Sequence, residues 1–568
     1  MKNPRLFIWV ALALVLFLNY EQWMRDYTVV PPTAPVSVDG KPALVPAPAA
    51  GLDASIPEAP VGSVPAAPAV ATAAAATAGG AVAGDAAPTG EHVHVRTNVL
   101  DIDIGLRGAE LSRADLLKYP KVKNQPAPVR LLRREGVDSL YVLQTGLSAP
   151  GQPNAQRPTH LAMFQSAQDE YVLDGTRNEV RVPLTWSDGN GVTVTKTYIF
   201  HRDMYRVDLE YSIDNRTAAP WQLASYAQLL HDTPPIERSY FNVETYAFSG
   251  PAIYDGVKYQ KLKIDNKDDA NLTRDIKAGW IAALQHHFVS AIVPPLDQNY
   301  HYTLRARGHQ YLATAVGPAQ TVAANSTATI KETLYVGPKL QAQLETLHPE
   351  LSRAADYGML TFLSKPLFWL LEKIHGIFGN WGVAIVLTTF LLKLVFYPLS
   401  EASGKSMAKM KNLAPRIKNL QETYKDDREK LGRAMMELYK REKVNPAAGC
   451  LPILIQLPVF LAFYWVLLES VEMRQAPFFG WLQDLSSPDP FFVLPAIMAA
   501  AMFAQYKLQP TPADPIQAKV FMILPLVMSA TFAFFPSGLV LYWVTNTLLS
   551  IAQQWNINRR IAAKTLKA

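Results

Sequence analysis

A multi-domain helical membrane protein that carries a large all-β domain outside the cytoplasm is the fold class this sequence predicts. Three observations carry it. An apolar run at residues 6–18 follows Lys2 and Arg5, about 250 residues (91–340) alternate as strands do, and five more apolar runs follow.

The totals agree with this division. A chain of 568 residues exceeds a single core, so several domains are expected. Hydrophobic residues make up 49% and charged ones 18%, and the net charge of +6 is concentrated in particular loops. Local positive charge beside apolar runs reads as membrane topology, whereas a uniform excess would point to nucleic acid. Cys450 is the single cysteine, so no intrachain disulfide forms and an extracytoplasmic domain stands on packing alone.

The first run, "LFIWVALALVLFL", is followed by "NYEQWMRDY", which has no small-residue cleavage site. Residues 1–24 therefore read as an uncleaved anchor with its basic end in the cytoplasm. Residues 25–90 are rich in Ala and Pro, and 31–90 contain no aromatic residue. That composition predicts a disordered or semi-extended tether. In 91–340, "YRVDLEYSID" places Val207, Leu209, Tyr211 and Ile213 on one face, and "SDGNG" supplies a turn. The prediction is an antiparallel β sandwich.

Residues 341–380 form a connector and an amphipathic helix at the outer membrane interface, with Lys365, Glu372 and Lys373 on its polar arc. Ser364 is expected to cap it, with Pro366 in the first turn. The five apolar runs lie at 381–399, 449–468, 491–506, 520–535 and 539–554, several shorter than the ~20 residues of a full span. Residues 401–446 carry twelve Lys/Arg against seven Asp/Glu, while 471–490 carry Arg474 against Glu472, Asp484 and Asp489. The positive-inside rule then gives six spans, both termini in the cytoplasm, and the β domain outside. Residues 381–556 form the helical core and 557–568 a short basic tail.

The cytoplasmic stretch 401–446 reads as a helical hairpin, broken near Pro415 and "YKDDRE". Met407, Lys409, Met410, Lys411, Arg416, Met435 and Met436 are its candidate contact residues for headgroups or a partner. Within the spans, Thr389, Lys393 and Tyr397 recur at i, i+4 and i+8, so one helix face carries all three. Asn546 with Ser550 and the single glutamines Gln456 and Gln505 add polar positions on other spans. A mid-helix lysine costs roughly 2.5–3.5 kcal/mol on insertion scales, so Lys393 is expected to face a water-filled cavity. The alternative is snorkelling to the cytoplasmic headgroups. The apolar runs contain no histidine and the chain has no Walker A motif, so no cofactor, metal or nucleotide is expected.

The segments "GNWGVAIVLTTFLLKLVFYPLS", "SMAKMKNLAPRIKNLQ", "EKVNPAAGCLPILIQLPVFLAFYWVL", "VEMRQAPFFGWLQDLS" and "FPSGLVLYWVTNTLLSIAQQW" resemble the YidC/Oxa/Alb family of membrane-protein insertases. The anchor and β domain resemble its Gram-negative bacterial form, whose large domain is periplasmic. The resemblance implies a β-supersandwich like that of mutarotases, and a five-helix core around a hydrophilic groove in the inner membrane. It also implies insertion and chaperoning of nascent membrane proteins, alone or beside the Sec translocon and its accessory subunits. The bilayer and, transiently through a short tail, the ribosome are further partners, with no nucleic-acid specificity. By position it makes Lys393 the groove cation, where Arg is more familiar, and Trp543 an aromatic substrate contact. Two other classes compete: a glycan-binding or glycan-processing protein using His92, His94, His286 or His287, and an anion transporter using Lys393. Neither has a supporting catalytic set or inverted repeat in the sequence.

Overall fold

The computed structural model describes residues 52–57, 91–136, 139–150, 156–235, 247–424, 427–442, 451–508 and 515–565. The anchor 1–24, most of the tether and Cys450 lie outside the described residues, as do the Met407 and Lys411 side chains.

Residues 92–338 form two sheets of eleven and nine strands. Pairings are antiparallel except that His92–Arg96 runs parallel to Glu170–Val172. The predicted alternation decides which side chains face between the sheets. Val207, Leu209, Tyr211 and Ile213 are fully buried, paired through Arg206–Asn215 to the strands Val192–His201 and Ser326–Pro338. The same period sends two charges inward. Lys196 follows Val192 and Val194 into the core, and Glu332 lies between Ile330 and Leu334.

Lys196 is tolerated because its Nζ donates to the carbonyls of Gly108 (2.9 Å), Ala109 (2.9 Å) and Thr145 (3.1 Å). Those carbonyls lie on the eleven-stranded side, so the lysine ties one sheet to the other. Burial drives the Glu332 carboxyl from 4.5 to about 7, against the lowering effects of a Ser225 hydrogen bond and of Lys196. A raised carboxyl favours folding while protonated, and that contribution fades as pH rises from 4.5 through 7. Thermal unfolding of the full chain, followed by the fluorescence of the buried Trp280, should shift down between pH 5 and pH 8. Glu332→Gln should flatten this shift; an unchanged pH dependence would remove Glu332 as its source.

The helical half contains α1 (Thr361–Phe378), α2 (Trp381–Val395), α3 (Tyr397–Thr423), α4 (Arg428–Arg441), α5 (Leu451–Glu469), α6 (Val493–Leu508), α7 (Pro515–Phe532) and α8 (Ser537–Thr565). Ser364 does not cap α1: it is buried within the helix and donates to the Ala462 carbonyl of α5 at 3.2 Å. Leu360 stands at the cap without a side-chain bond, and Pro366 falls beyond the first turn. Phe362, Trp369 and Ile377 are exposed on α1, Ile377 by 77%, while Leu367, Leu371 and Ile374 are buried. An apolar face in the open beside a buried one fits a helix lying on lipid.

Pro415 does not break the hairpin. It is exposed within α3, where water can satisfy the carbonyl left without a proline N–H. The break comes at "YKDDRE", where the Asp427 side chain accepts from Lys430 N–H and caps α4.

Among the described residues no single helix is long and apolar enough to cross a membrane. One pair, α2 with Tyr397–Ser406, passes together across a 61° bend. Exposed apolar side chains nevertheless line four helices: Leu394 on α2, Trp465 on α5, Phe503 on α6 and Val520 to Leu524 on α7. A surface of this extent marks contact with lipid or protein.

The β half meets the helical half through the loop after α5. Arg474 donates to the Pro120 carbonyl (2.9 Å), Lys123 to the Gln475 carbonyl (2.9 Å), and Tyr357 shares a hydrogen bond with Ser470 (3.2 Å). Lys339 and Glu469, both buried, approach to 4.0 Å. Burial lowers the Lys339 ammonium to about 8 against the opposing pull of Glu469.

Candidate functional site

The site grows from the two ends of α2. At its start, the Asn380 side chain accepts from Val383 N–H (3.0 Å) and donates to the Phe478 carbonyl (3.1 Å), fixing the helix to the loop after α5. At its end, Pro398 has no N–H for the Leu394 carbonyl and its ring crowds that turn, so the chain breaks at Phe396. Lys393 therefore lies in the last turn of α2. Tyr397 begins α3 and does not continue the predicted stripe; its hydroxyl accepts from Asn556 Nδ2 at 3.4 Å.

Lys393 Nζ donates to Ser550 Oγ on α8 (2.8 Å) and to Gln456 Oε1 on α5 (3.4 Å). Ser550 donates its O–H to the Asn546 carbonyl at 2.6 Å, leaving its oxygen free to accept from the lysine. Thr389 is buried and donates to the Ile385 carbonyl (2.7 Å). The ammonium thus gathers three helices through neutral partners.

Thr389, Leu392, Lys393, Phe396, Gln456, Val459, Tyr542 and Asn546 line a half-open cavity of about 20 Å³. That is room for about one water and far less than a polypeptide needs. Four predicted residues, Thr389, Lys393, Gln456 and Asn546, meet here. Gln505 and Trp543 do not line the cavity. Gln505 is half-buried on α6, and Trp543 packs edge-on to Phe460 (4.7 Å) and against Phe532 (5.2 Å). The aromatic wall is Tyr542, stacked on Phe463 at 4.6 Å. Counting back in fours from Ser550 through Asn546 reaches Tyr542, so helical register carried the signal that the positional match to Trp543 missed.

On the hairpin, Leu413 and Ile417 form a small core with Met410 and Met435. Lys409 and Met436 are exposed, and Arg416 pairs with Glu442 at 2.6 Å. The β-domain histidines are structural in their contacts. His94, Asp101 and Asp103 have metal-like spacing, but the Arg113 guanidinium donates to both carboxylates, at 2.6 Å to Asp103 and 2.8 Å to Asp101. His286 and His287 stack at 3.8 Å in the junction, His286 Nε2 lying 3.0 Å from the Leu468 carbonyl. Burial lowers His286 to about 4, which leaves it neutral there.

Two family models match the chain: the YidC periplasmic domain over residues 92–370 and the 60Kd inner membrane protein over 373–564. The membrane protein insertase YidC of Thioalkalivibrio sulfidiphilus is 44% identical over 99% of this chain and 99% of its own length. That of Methylococcus capsulatus is 48% identical over 85% of this chain and 88% of its own. A crystal structure of an active YidC insertase with its first transmembrane domain resolved aligns over 82% of this chain and 92% of that one, at 18% identity and a TM-score of 0.37.

Proposed function

The chain belongs to the YidC family of membrane protein insertases, and from that premise we propose that Lys393 draws the polar end of an inserting protein between α2, α5 and α8. The observation that carries this reading is the neutrality of its partners. Ser550 and Gln456 take up two of the three N–H groups of Lys393 without cancelling its charge. In the low-dielectric setting of a membrane such a field reaches a carboxylate several ångströms away.

A cavity of about 20 Å³ is too small for a guest chain, so entry parts the three helices. An incoming carboxylate replaces Ser550 and Gln456 at Nζ, exchanging neutral acceptors for a charged one. The apolar part of the guest then passes into lipid along the exposed faces of α5 and α7. The step moves a chain and makes no covalent bond.

The topology we propose has six spans, with 1–24 as the anchor, 25–90 the tether, 91–340 the periplasmic supersandwich and 341–380 the interfacial connector. Residues 381–556 are the insertase core and 557–568 the tail, with both termini cytoplasmic; the charge bias of 401–446 supports this orientation. The hairpin, through Lys409, Met410, Met435 and Met436 with Met407, Lys411 and Arg416, receives the chain from the ribosome. The Sec translocon and its accessory subunits are proposed as partners for larger clients.

Photocrosslinkers placed at Thr389 and at Tyr542 should capture a stalled single-span nascent chain. A crosslinker at Leu394, which is exposed on α2 away from the cavity lining, should capture lipid instead. Equal capture of the nascent chain from Leu394 would overturn this entry route.

A further inference from the structure

One part of the expected tether is not loose. Leu52–Ala54 form a turn of 3-10 helix, and residues 52–57 lie on the outer face of the eleven-stranded sheet. Leu52 packs against Leu140, Val142, Leu230 and Leu312. Leu52 and Asp53, one apolar and one charged, are the side chains of this stretch that make the contact.

Asp53 is held from three sides. Arg134 donates to both its oxygens (3.0 and 3.1 Å), and Gln144, almost fully buried, donates to Oδ1 at 2.8 Å. His160 Nε2 lies 3.0 Å from the Asp53 carbonyl, and Gln228 Nε2 reaches the Ser55 carbonyl at 3.4 Å. Burial raises the Asp53 carboxyl, but Arg134 and Gln144 outweigh it and hold it below its usual range.

The receiving groups are braced without the tether. Arg134 forks onto the buried Glu110 (2.6 and 2.8 Å), Gln228 donates to Gln144 (2.6 Å), and Tyr226 meets His160 Nδ1 at 2.7 Å. The cleft also extends past its occupant, as a cavity of about 770 Å³. Five arginines line it; Arg113, Arg130 and Arg134 are already paired with Asp103, Glu135 and Glu110, Arg107 and Arg133 stand beside them, and the buried Nε of Arg133 has no hydrogen-bond partner. The tether uses little of this, since the Asp53 and Arg134 side chains keep 46% and 37% of their exposure. Asp53 draws on Arg134 and the buried Gln144 together, so its grip is an ion pair backed by a buried hydrogen bond.

We propose that this cleft is a recognition site for extended acidic peptides of other chains, which read it with a leucine–aspartate pair, and that Leu52–Pro57 is its resident competitor. Tethering gives the resident an effective concentration on the order of millimolar, so a weak grip suffices to hold it until a better-matched peptide arrives.

The test is fluorescence anisotropy with a labelled peptide of sequence AGLDASIPEA, added to the full chain in nanodiscs. Releasing the resident with Asp53→Asn should tighten peptide binding by about tenfold or more over the native chain. In that released chain, a peptide with asparagine in place of its aspartate should lose binding, and so should the chain carrying Arg134→Ala in addition. The peptide-side change leaves the protein fold untouched. Equal binding to the native and Asp53→Asn chains, or undiminished binding of the asparagine peptide, would overturn the proposal.

Discussion

Lys393→Glu is expected to reduce insertion of a small single-span substrate on the order of a hundredfold, while Lys393→Arg keeps it within a few-fold. At ~8 Å and an effective dielectric of ~20, a unit charge attracts a carboxylate by about 2 kcal/mol. Reversing its sign changes the interaction by about twice that amount, lessened by whatever water enters with the guest. Arginine preserves the sign, and the neutral acceptors Ser550 and Gln456 accept from a guanidinium as well as from an ammonium. The measurement is protease protection of a radiolabelled substrate in vesicles containing each variant. Normal insertion by Lys393→Glu would show that the charge does not attract the guest.

Lys196→Ala should destabilise the β domain by about 3–5 kcal/mol, the typical cost of breaking a buried charged contact from one side. Three carbonyls lose their shared donor, Glu332 loses the lowering pull of the lysine and keeps that of Ser225, and a cavity opens beside Tyr198 and Tyr211. Lys196→Met fills the volume and should cost less, although the carbonyls stay unpaired. Chemical denaturation of the full chain, read through Trp280 fluorescence, orders the three proteins as native, Met and Ala. If Ala equals the native protein, the inter-sheet tie contributes nothing to stability.

The strands were legible because a period of two is a local property: Val207, Leu209, Tyr211 and Ile213 face inward wherever the strand is placed. The same rule marks Lys196 and Glu332 as inward, but only the carbonyls of Gly108, Ala109 and Thr145, far off in sequence, explain why a lysine is admitted. Lys393 stood out because a charge in an apolar run needs a reason. Gln456 and Ser550 were legible as polar positions on other spans, but that they meet Lys393 was not, since they lie 63 and 157 residues away.

Local signals also misled where tertiary packing overrode them. Ser364 has the composition of a cap, yet it is drawn into the contact with α5. Pro415 looks like a break, yet it is exposed and α3 continues past it. Pro398 passed as part of a span and instead turns the chain by 61°, taking Tyr397 off the stripe.

By itself the sequence determined family, layered strand pattern, helical periods and the sign of each loop, because these follow from composition and near-neighbour spacing. The tertiary structure alone decided that Lys393, Gln456 and Ser550 meet between α2, α5 and α8, and that Asp53 reaches Arg134 from within an Ala- and Pro-rich stretch. Those pairings join distant parts of the chain, and which of them meet is settled by how helices and sheets pack.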